Sequence, residues 1–269
     1  MKASILRKFW ALIALALLGV APVHAVEVSP PPAGGQYDSQ LGGAYPPPEG
    51  VTTLSRDRAE PAVPGLYNIC YINAFQTQPQ ELDLWRGEHA DLLLKDPSGK
   101  LFEDPNWPGE ILLDTSTPQK RAALFGIVSG WIAKCATDGY QAIEADNLDT
   151  YSRSDGALKL DDNLSYAADL ARFAHSLGLA FGQKNGAELG DRGKAAGFDF
   201  AIVESCQVYD ECGEYTDVFG AHVLEIEYTD TDAAYFETAC EARGSKISVI
   251  RRDRNLTMSG EPSYFYQTC

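Results

Sequence analysis

Eight short apolar, β-branched runs, each ending abruptly in polar residues, constrain this chain more than any other feature. They are VTTLSRD (51–57), YNICYIN (67–73), EILLD (110–114), YQAIEADN (140–147), LAFGQKN (179–185), FDFAIVE (198–204), AHVLEIEY (221–228) and KISVIRR (246–252). Their length and composition suit buried strands. Helix-period segments lie between many of them. Residues 117–136 open with Thr117 as an N-cap and Pro118 in the first turn, and place Leu124, Phe125, Val128, Trp131 and Ile132 at helical spacing. Residues 161–177 start at Asp161 and Asp162 and stop at Gly178, while 187–196 and 231–243 predict shorter helices. The stretch 74–109 has weak periodicity and reads as a long, partly irregular crossover. Strand–helix alternation repeated eight times predicts a single α/β domain, a (β/α)8 TIM barrel. A doubly wound sheet would call for a glycine-rich phosphate turn, and neither GxGxxG nor GxxxxGK[ST] occurs. No cofactor is expected.

The termini and cysteines speak to compartment. Lys2, Arg7 and Lys8 precede an uncharged run from Phe9 to Ala21, followed by Val23-His24-Ala25. This is the pattern of a signal peptide over residues 1–25. The run is too short for the ~20 residues of a membrane span, so no stable anchor is expected. A Pro/Gly-rich leader, read as mobile, covers 26–35, and the (β/α)8 domain covers 36–269. Six cysteines remain beyond the signal, an even number that favours disulfides in an exported protein, secreted or periplasmic. Six cysteines allow 15 pairings. Proximity suggests Cys206–Cys212, pinning of the chain end suggests Cys240–Cys269, and Cys70–Cys135 is left. There is no CxxC pair and no HExxH, which argues against a metal site. The formal charge is −16, and loss of the three signal-peptide cations would take it to −19. Such a balance disfavours nucleic acid and anionic membranes and favours neutral or cationic partners.

In a barrel, reactive groups gather at the C-terminal strand ends. Those ends carry Asp114, Asp146 with Asn147, Lys184 with Asn185, Glu204, Glu227 with Tyr228, and Arg251. Helix capping is an alternative role for Asp114 and Asn185. Glu144 and Asp146 are two apart and share one strand face, where Lys184 on the adjacent strand could keep Asp146 ionised. A structural Glu–Lys pair filling the barrel is the competing reading. Glu204 lies two strands from Asp146, which puts the Cα atoms about 9–10 Å apart. Converging side chains could then reach the ~5–5.5 Å of retaining glycoside cleavage or the ~6.5–9.5 Å of inversion. The apolar run before Glu204 predicts a raised pKa for an acid catalyst. Tyr71, Phe75, Trp107, Tyr151, Tyr209 and Tyr228 are candidate sugar platforms. Asn163-Leu-Ser165 and Asn255-Leu-Thr257 match glycosylation sequons.

Four segments carry a resemblance: Asn68-Ile-Cys-Tyr-Ile-Asn73, Glu144-Ala-Asp-Asn-Leu-Asp149, Gly182-Gln-Lys-Asn185 and Phe198-Asp-Phe-Ala-Ile-Val-Glu-Ser-Cys206. In order across about residues 36–269 they resemble glycoside hydrolase family 114, the endo-α-1,4-polygalactosaminidase-like proteins. The resemblance implies a (β/α)8 barrel that cleaves α-1,4-linked galactosamine polymers internally. It places Asp146 as nucleophile, Glu204 as acid/base, Lys184 and Asn185 as lining residues, and Glu144 and Asp149 as flanking acids. Ala145, Gln183 and Ser205 depart from the family's proline, leucine and glutamine. Tyr71, Asn147, Asp114, Glu227, Tyr228 and Arg251 complete the expected substrate contacts. A de-acetylated galactosamine polymer is a polycation, which the acidic chain would attract as a monomer by long-range electrostatics. A non-catalytic barrel that grips amino sugars, or a hydrolase of another linkage, would carry many of the same features.

Overall fold

The computed structural model describes residues 28–269, and the expected signal peptide lies outside them. Nine strands form one sheet in sequence order: β1 (Gln36–Gln40), β2 (Val51–Asp57), β3 (Tyr67–Asn73), β4 (Ala142–Asp146), β5 (Ala180–Lys184), β6 (Phe200–Glu204), β7 (Val223–Tyr228), β8 (Ser248–Arg252) and β9 (Tyr266–Thr268). β1 to β8 run parallel, and β9 lies antiparallel along the free edge of β8. Strands β4, β5, β6 and β8 are each preceded by a helix: α2 (Pro118–Thr137), α3 (Leu160–Ser176), α4 (Asp191–Ala196) and α7 (Ala233–Arg243). This is a nearly closed TIM barrel.

The local chemistry behaves as elementary rules require. Thr117 accepts a hydrogen bond from Lys120 N–H and Pro118 fills the first turn of α2. Gly178, at φ +79°, ends the turn after α3 where other residues would be strained. Period-two alternation then sorts the strands. Ile69, Ala142, Ala180, Phe200, Ile202, Leu224, Ile226 and Ile250 pack in the barrel interior. Their neighbours Cys70, Ile143, Phe181, Ala201, Val203 and Val249 face the helices in a larger outer core. Gly182 is the small partner of Phe200 across the β5–β6 ladder. A Cβ there would lie 2.6 Å from the Phe200 ring.

Two expectations about strands are corrected. EILLD (110–114) is not a stave of the barrel. It belongs to the excursion between β3 and α2, which also contains α1 (Leu82–Glu88), and it makes antiparallel bridges: Gln76 with Leu112, Leu93 with Leu113, Glu103 with Ile111. The run reads as a buried strand because Ile111, Leu112 and Leu113 are all buried, but its edges are taken within the excursion. The eighth parallel stave is instead β1, QYDSQ, which has no apolar run. β1 is polar because it forms the barrel seam. There Arg252 pairs with Asp38 at 2.5 Å and donates to Ser39 O, and Ser248 donates to Gly35 O. Both members of the Arg252–Asp38 pair are fully buried.

The stretch from 28 to 35 does not hang free as a mobile leader. Tyr67 donates to Ser29 O at 2.6 Å, His222 Nδ1 lies 2.9 Å from Pro31 O, and Val28 packs on the interior cluster. Covering apolar side chains at the N-terminal face explains that contact. Disulfides join Cys70 to Cys135, Cys206 to Cys212, and Cys240 to Cys269. The first ties β3 to α2, the second closes the turn between α5 (Cys206–Tyr209) and α6 (Cys212–Phe219), and the third ties Cys269, just past β9, to α7.

Candidate active site

Three strands end the same way. Asp146, Lys184 and Glu204 are the last residues of β4, β5 and β6, and each points inward by alternation with Ala142, Ala180 and Phe200. Each is followed by a residue in the left-handed region: Asn147 (φ 67°), Asn185 (φ 51°) and Ser205 (φ 56°). Asn tolerates that conformation, whereas Ser205 adopts it at a cost of about 1 kcal/mol or more. These sharp exits turn the chain away and leave three side chains at the barrel mouth.

Lys184 is the centre of the arrangement. Its ammonium lies 3.2 Å from Glu144 Oε1, 3.5 Å from Asp146 Oδ2 and 3.4 Å from Glu204 Oε2, and its side chain is 4% exposed. Burial opposes its charge, but the carboxylates of Asp146, Glu204 and Glu144 prevail and hold its pKa well above the usual lysine value. Glu144 sits below, 1% exposed, accepting from Ser55 Oγ at 2.8 Å; burial raises its pKa against the pull of Lys184. Tyr71 OH donates to Asp146 Oδ2 at 2.8 Å and Asn147 N–H to Oδ1 at 2.7 Å. Asn185 grips Glu204 twice, donating from Nδ2 to Oε2 at 2.8 Å and accepting its backbone N–H at 2.9 Å. Tyr228 OH donates to the other oxygen of Glu204.

Glu204 corrects an expectation. Its surroundings do not raise its pKa. Burial pushes upward, but Lys184, Tyr228 and Asn185 together hold it below the usual carboxylate range. The preceding apolar residues Ala201 and Val203 face the helices, and the head group meets donors instead.

Tyr71, Asp146, Lys184, Asn185, Glu204 and Tyr228 line a cavity of about 350 Å³, with Asp149, Asn147 and the half-exposed Trp107 also on its walls. Asp114, Glu227 and Arg251 lie elsewhere, correcting their expected place at substrate. Asp114 accepts from Ser116 N–H at 3.0 Å and pairs with Lys120 of α2. It is on the excursion, not on a stave. Glu227 and Arg251 have the wrong parity: Tyr228 and Ile250 face inward, so their neighbours face out. Glu227 is fully buried, accepts Gln207 N–H at 3.0 Å, and is pushed by burial to a pKa of about 7. Arg251 donates to Thr231 O and stands over Phe265. Glu144 underlies the cavity without lining it. Of the other aromatics, Phe75 is core, Tyr151 bonds Glu188, and Tyr209 is 70% exposed away from the cavity. Asn163 is fully buried and bonded to Thr115 and Thr150, so that sequon is closed to modification in the folded chain.

Several wall residues were missed. Asp57 and Arg254 end or follow predicted strands, and strand-end logic applies to both. Asp104 and Arg153 come from the excursion and from the loop after β4, where no sequence period exists, and Glu110 opens the EILLD run at the end opposite to the one that strand-end logic selects. Arg153 binds Asp104 and Asp149, each at 2.8 Å. Arg254 stacks on the Tyr228 ring at 3.8 Å and pairs with Asp230. In all, six carboxylates face three cations across the cavity. The one cluster of metal-ligating atoms among the described residues is Cys206, Cys212 and Glu225, whose sulfurs are joined to each other.

Two carboxylates bridged by one buried cation thus stand at the C-terminal mouth of a parallel barrel, the face where such scaffolds carry their reactive groups. The sequence matches Glycoside-hydrolase family GH114 over residues 20–269, and the chain belongs to that family. A search of curated proteins by sequence finds no match. Among solved structures, the fold is similar to Aspergillus fumigatus Ega3 in complex with galactosamine (TM-score 0.70, 21% identity, covering 91% of this chain and 100% of that one). It is also similar to the glycoside hydrolase domain of PelA from Pseudomonas aeruginosa (TM-score 0.58, 15% identity, 84% and 97% covered). The three disulfides fit an extracellular enzyme. Among the described residues no helix is long and apolar enough to cross a membrane.

Proposed function

We propose that the protein is a secreted or periplasmic endo-hydrolase of α-1,4-linked galactosamine-containing polysaccharide that retains anomeric configuration. The observation that carries this reading is the single lysine shared by Asp146 and Glu204. With Nζ at 3.5 and 3.4 Å from their oxygens, those oxygens lie no more than about 7 Å apart, a span that includes the ~5–5.5 Å of retention. Ega3 was crystallised with galactosamine, which supports the substrate class.

Asp146 attacks the anomeric carbon while protonated Glu204 gives its proton to the glycosidic oxygen, and the leaving chain departs as an alcohol. A glycosyl ester on Asp146 results. Glu204, now a carboxylate, takes a proton from water, whose oxygen attacks the same carbon and frees Asp146. Tyr71 and Asn147 N–H fix the attacking carboxylate, and Lys184 places its ammonium 3.5 Å from it. Glu204 is 29% exposed in the free site. Substrate covering that face removes water from it and raises its pKa toward the proton-bearing form.

Reducing-end release from galactosamine oligomers, with anomeric analysis of the products, tests the reading. Asp146→Asn and Glu204→Gln are each expected to lower turnover by about a hundredfold or more with the fold intact. Near-normal rates in either variant, or inverted products, refute the assignment.

A further inference from the structure

The excursion between β3 and α2 ends in a tight loop that brings Glu110 to the cavity wall. Asp104 N–H donates to Glu110 O at 2.9 Å, Glu110 N–H to Trp107 O at 3.0 Å, and Gly109 N–H to Glu103 Oε1 at 2.7 Å, so the loop is closed on itself. Glu110 Oε2 accepts from Asn73 Nδ2 and Gln76 Nε2, both at 2.9 Å. Among the described residues no donor reaches Oε1 and no cation lies within ion-pair distance of the carboxylate. The other wall acids differ. Arg153 serves Asp104 and Asp149, and Lys184 serves Asp146 and Glu204. Asp57 has no cation partner, but its two oxygens accept Ala59 N–H and Gln78 Nε2. Glu110 therefore combines fixed position, an open oxygen and an uncompensated charge. Burial raises its pKa, and Asp146 and Asp104 add to the rise, so a cation arriving there would be stabilised.

Two amides connect it to the reacting carboxylate. Asn73 Oδ1 accepts from Asn147 Nδ2 at 2.8 Å, and Asn147 N–H holds Asp146. Trp107, on the same loop and 49% exposed, offers an apolar face to a sugar ring beside it. We propose that Glu110 is a specificity-determining residue that takes the free ammonium of an amino sugar, distinguishing it from the N-acetylated or hydroxylated ring. This rests on the glycosidase reading above and names the group that selects the substrate.

Calorimetric binding of galactosamine, N-acetylgalactosamine and galactose to the mature chain tests it. Glu110→Gln is the informative variant, since its amide oxygen can replace Oε2 toward Asn73 and Gln76. The native chain is expected to favour galactosamine, and Glu110→Gln to lose about tenfold to a hundredfold in affinity for galactosamine alone, the worth of one hydrogen bond to a charged group. No amine preference in the native chain, measurable binding of none of the three, no change in the variant, or an equal loss for all three overturns the proposal. Reducing-end release, run in parallel, separates the two readings. Cleavage of galactosamine oligomers with unchanged selectivity removes only the role of Glu110. Selectivity lost on substitution with no cleavage by the native chain removes only the reaction.

Discussion

Replacing Lys184 by methionine keeps the apolar stem and deletes the charge that three carboxylates share. At an effective dielectric near 20, each contact of about 3.4 Å carries about 5 kcal/mol of Coulomb attraction, against several kcal/mol to bury the ammonium. Removing one member of a buried cluster costs about 3–5 kcal/mol, which for a domain of this size lowers Tm by about 6–20 °C. The group left most exposed to that cost is Glu144, because Asp146 and Glu204 retain contact with solvent. Glu144 can escape by taking a proton. Its folded pKa already stands above the unfolded one, and losing Lys184 lifts it further. A carboxyl raised in this way contributes fully below the unfolded pKa and loses its contribution as pH rises through the folded pKa. The deficit of Lys184→Met should therefore be small at pH 5 and large at pH 8. Urea unfolding at both pH values measures it, and Lys184→Met with Glu144→Gln should recover most of the loss at pH 8. A Lys184→Met chain as stable as the native one at pH 8, or equally destabilised at both pH values, refutes the account of a shared buried charge.

Other outcomes follow from the same geometry. Tyr228→Phe removes a donor from Glu204, so its pKa rises and the high-pH limb of kcat/KM should move upward by about one pH unit; a downward shift contradicts the assignment of the acid. Glu227→Gln removes a buried carboxyl with a folded pKa of about 7, so native stability relative to the variant should fall by up to about 3 kcal/mol between pH 4.5 and pH 8, as read by denaturant titration. Replacing both Cys70 and Cys135 by alanine opens a loop of 65 residues and should cost about 4 kcal/mol, about twice the cost of opening the 6-residue Cys206–Cys212 loop, on the chain-entropy account of disulfides. Finally, kcat/KM on a de-acetylated polymer should fall as salt rises from low ionic strength, because the acidic chain and its cavity draw a polycation through a screened field; equal rates across the range remove that steering.

Much of the barrel was legible in the chain because each stave from β3 to β8, excepting the excursion, is a short buried run whose end is marked by a change to polar residues. Asp146, Lys184 and Glu204 were legible for the same reason: a strand's last inward residue is fixed by counting in twos from its apolar neighbours. Parity also explains the failures. Glu227 and Arg251 each sit one residue from an inward position, and which face is inward depends on what packs on either side of the sheet. β1 carries no apolar run, because beside Tyr37 its buried residues are polar and Asp38 is satisfied by Arg252 across the seam. EILLD carries the composition of a stave, yet its partners lie in its own excursion. Glu110 reaches the cavity only because that excursion folds over the mouth, a placement that strand-end logic does not select. The low pKa of Glu204 has the same origin. Sequence supplied its apolar neighbours, but the ammonium, phenol and amide that hold its charge come from three different elements, and their distances exist only in the folded chain.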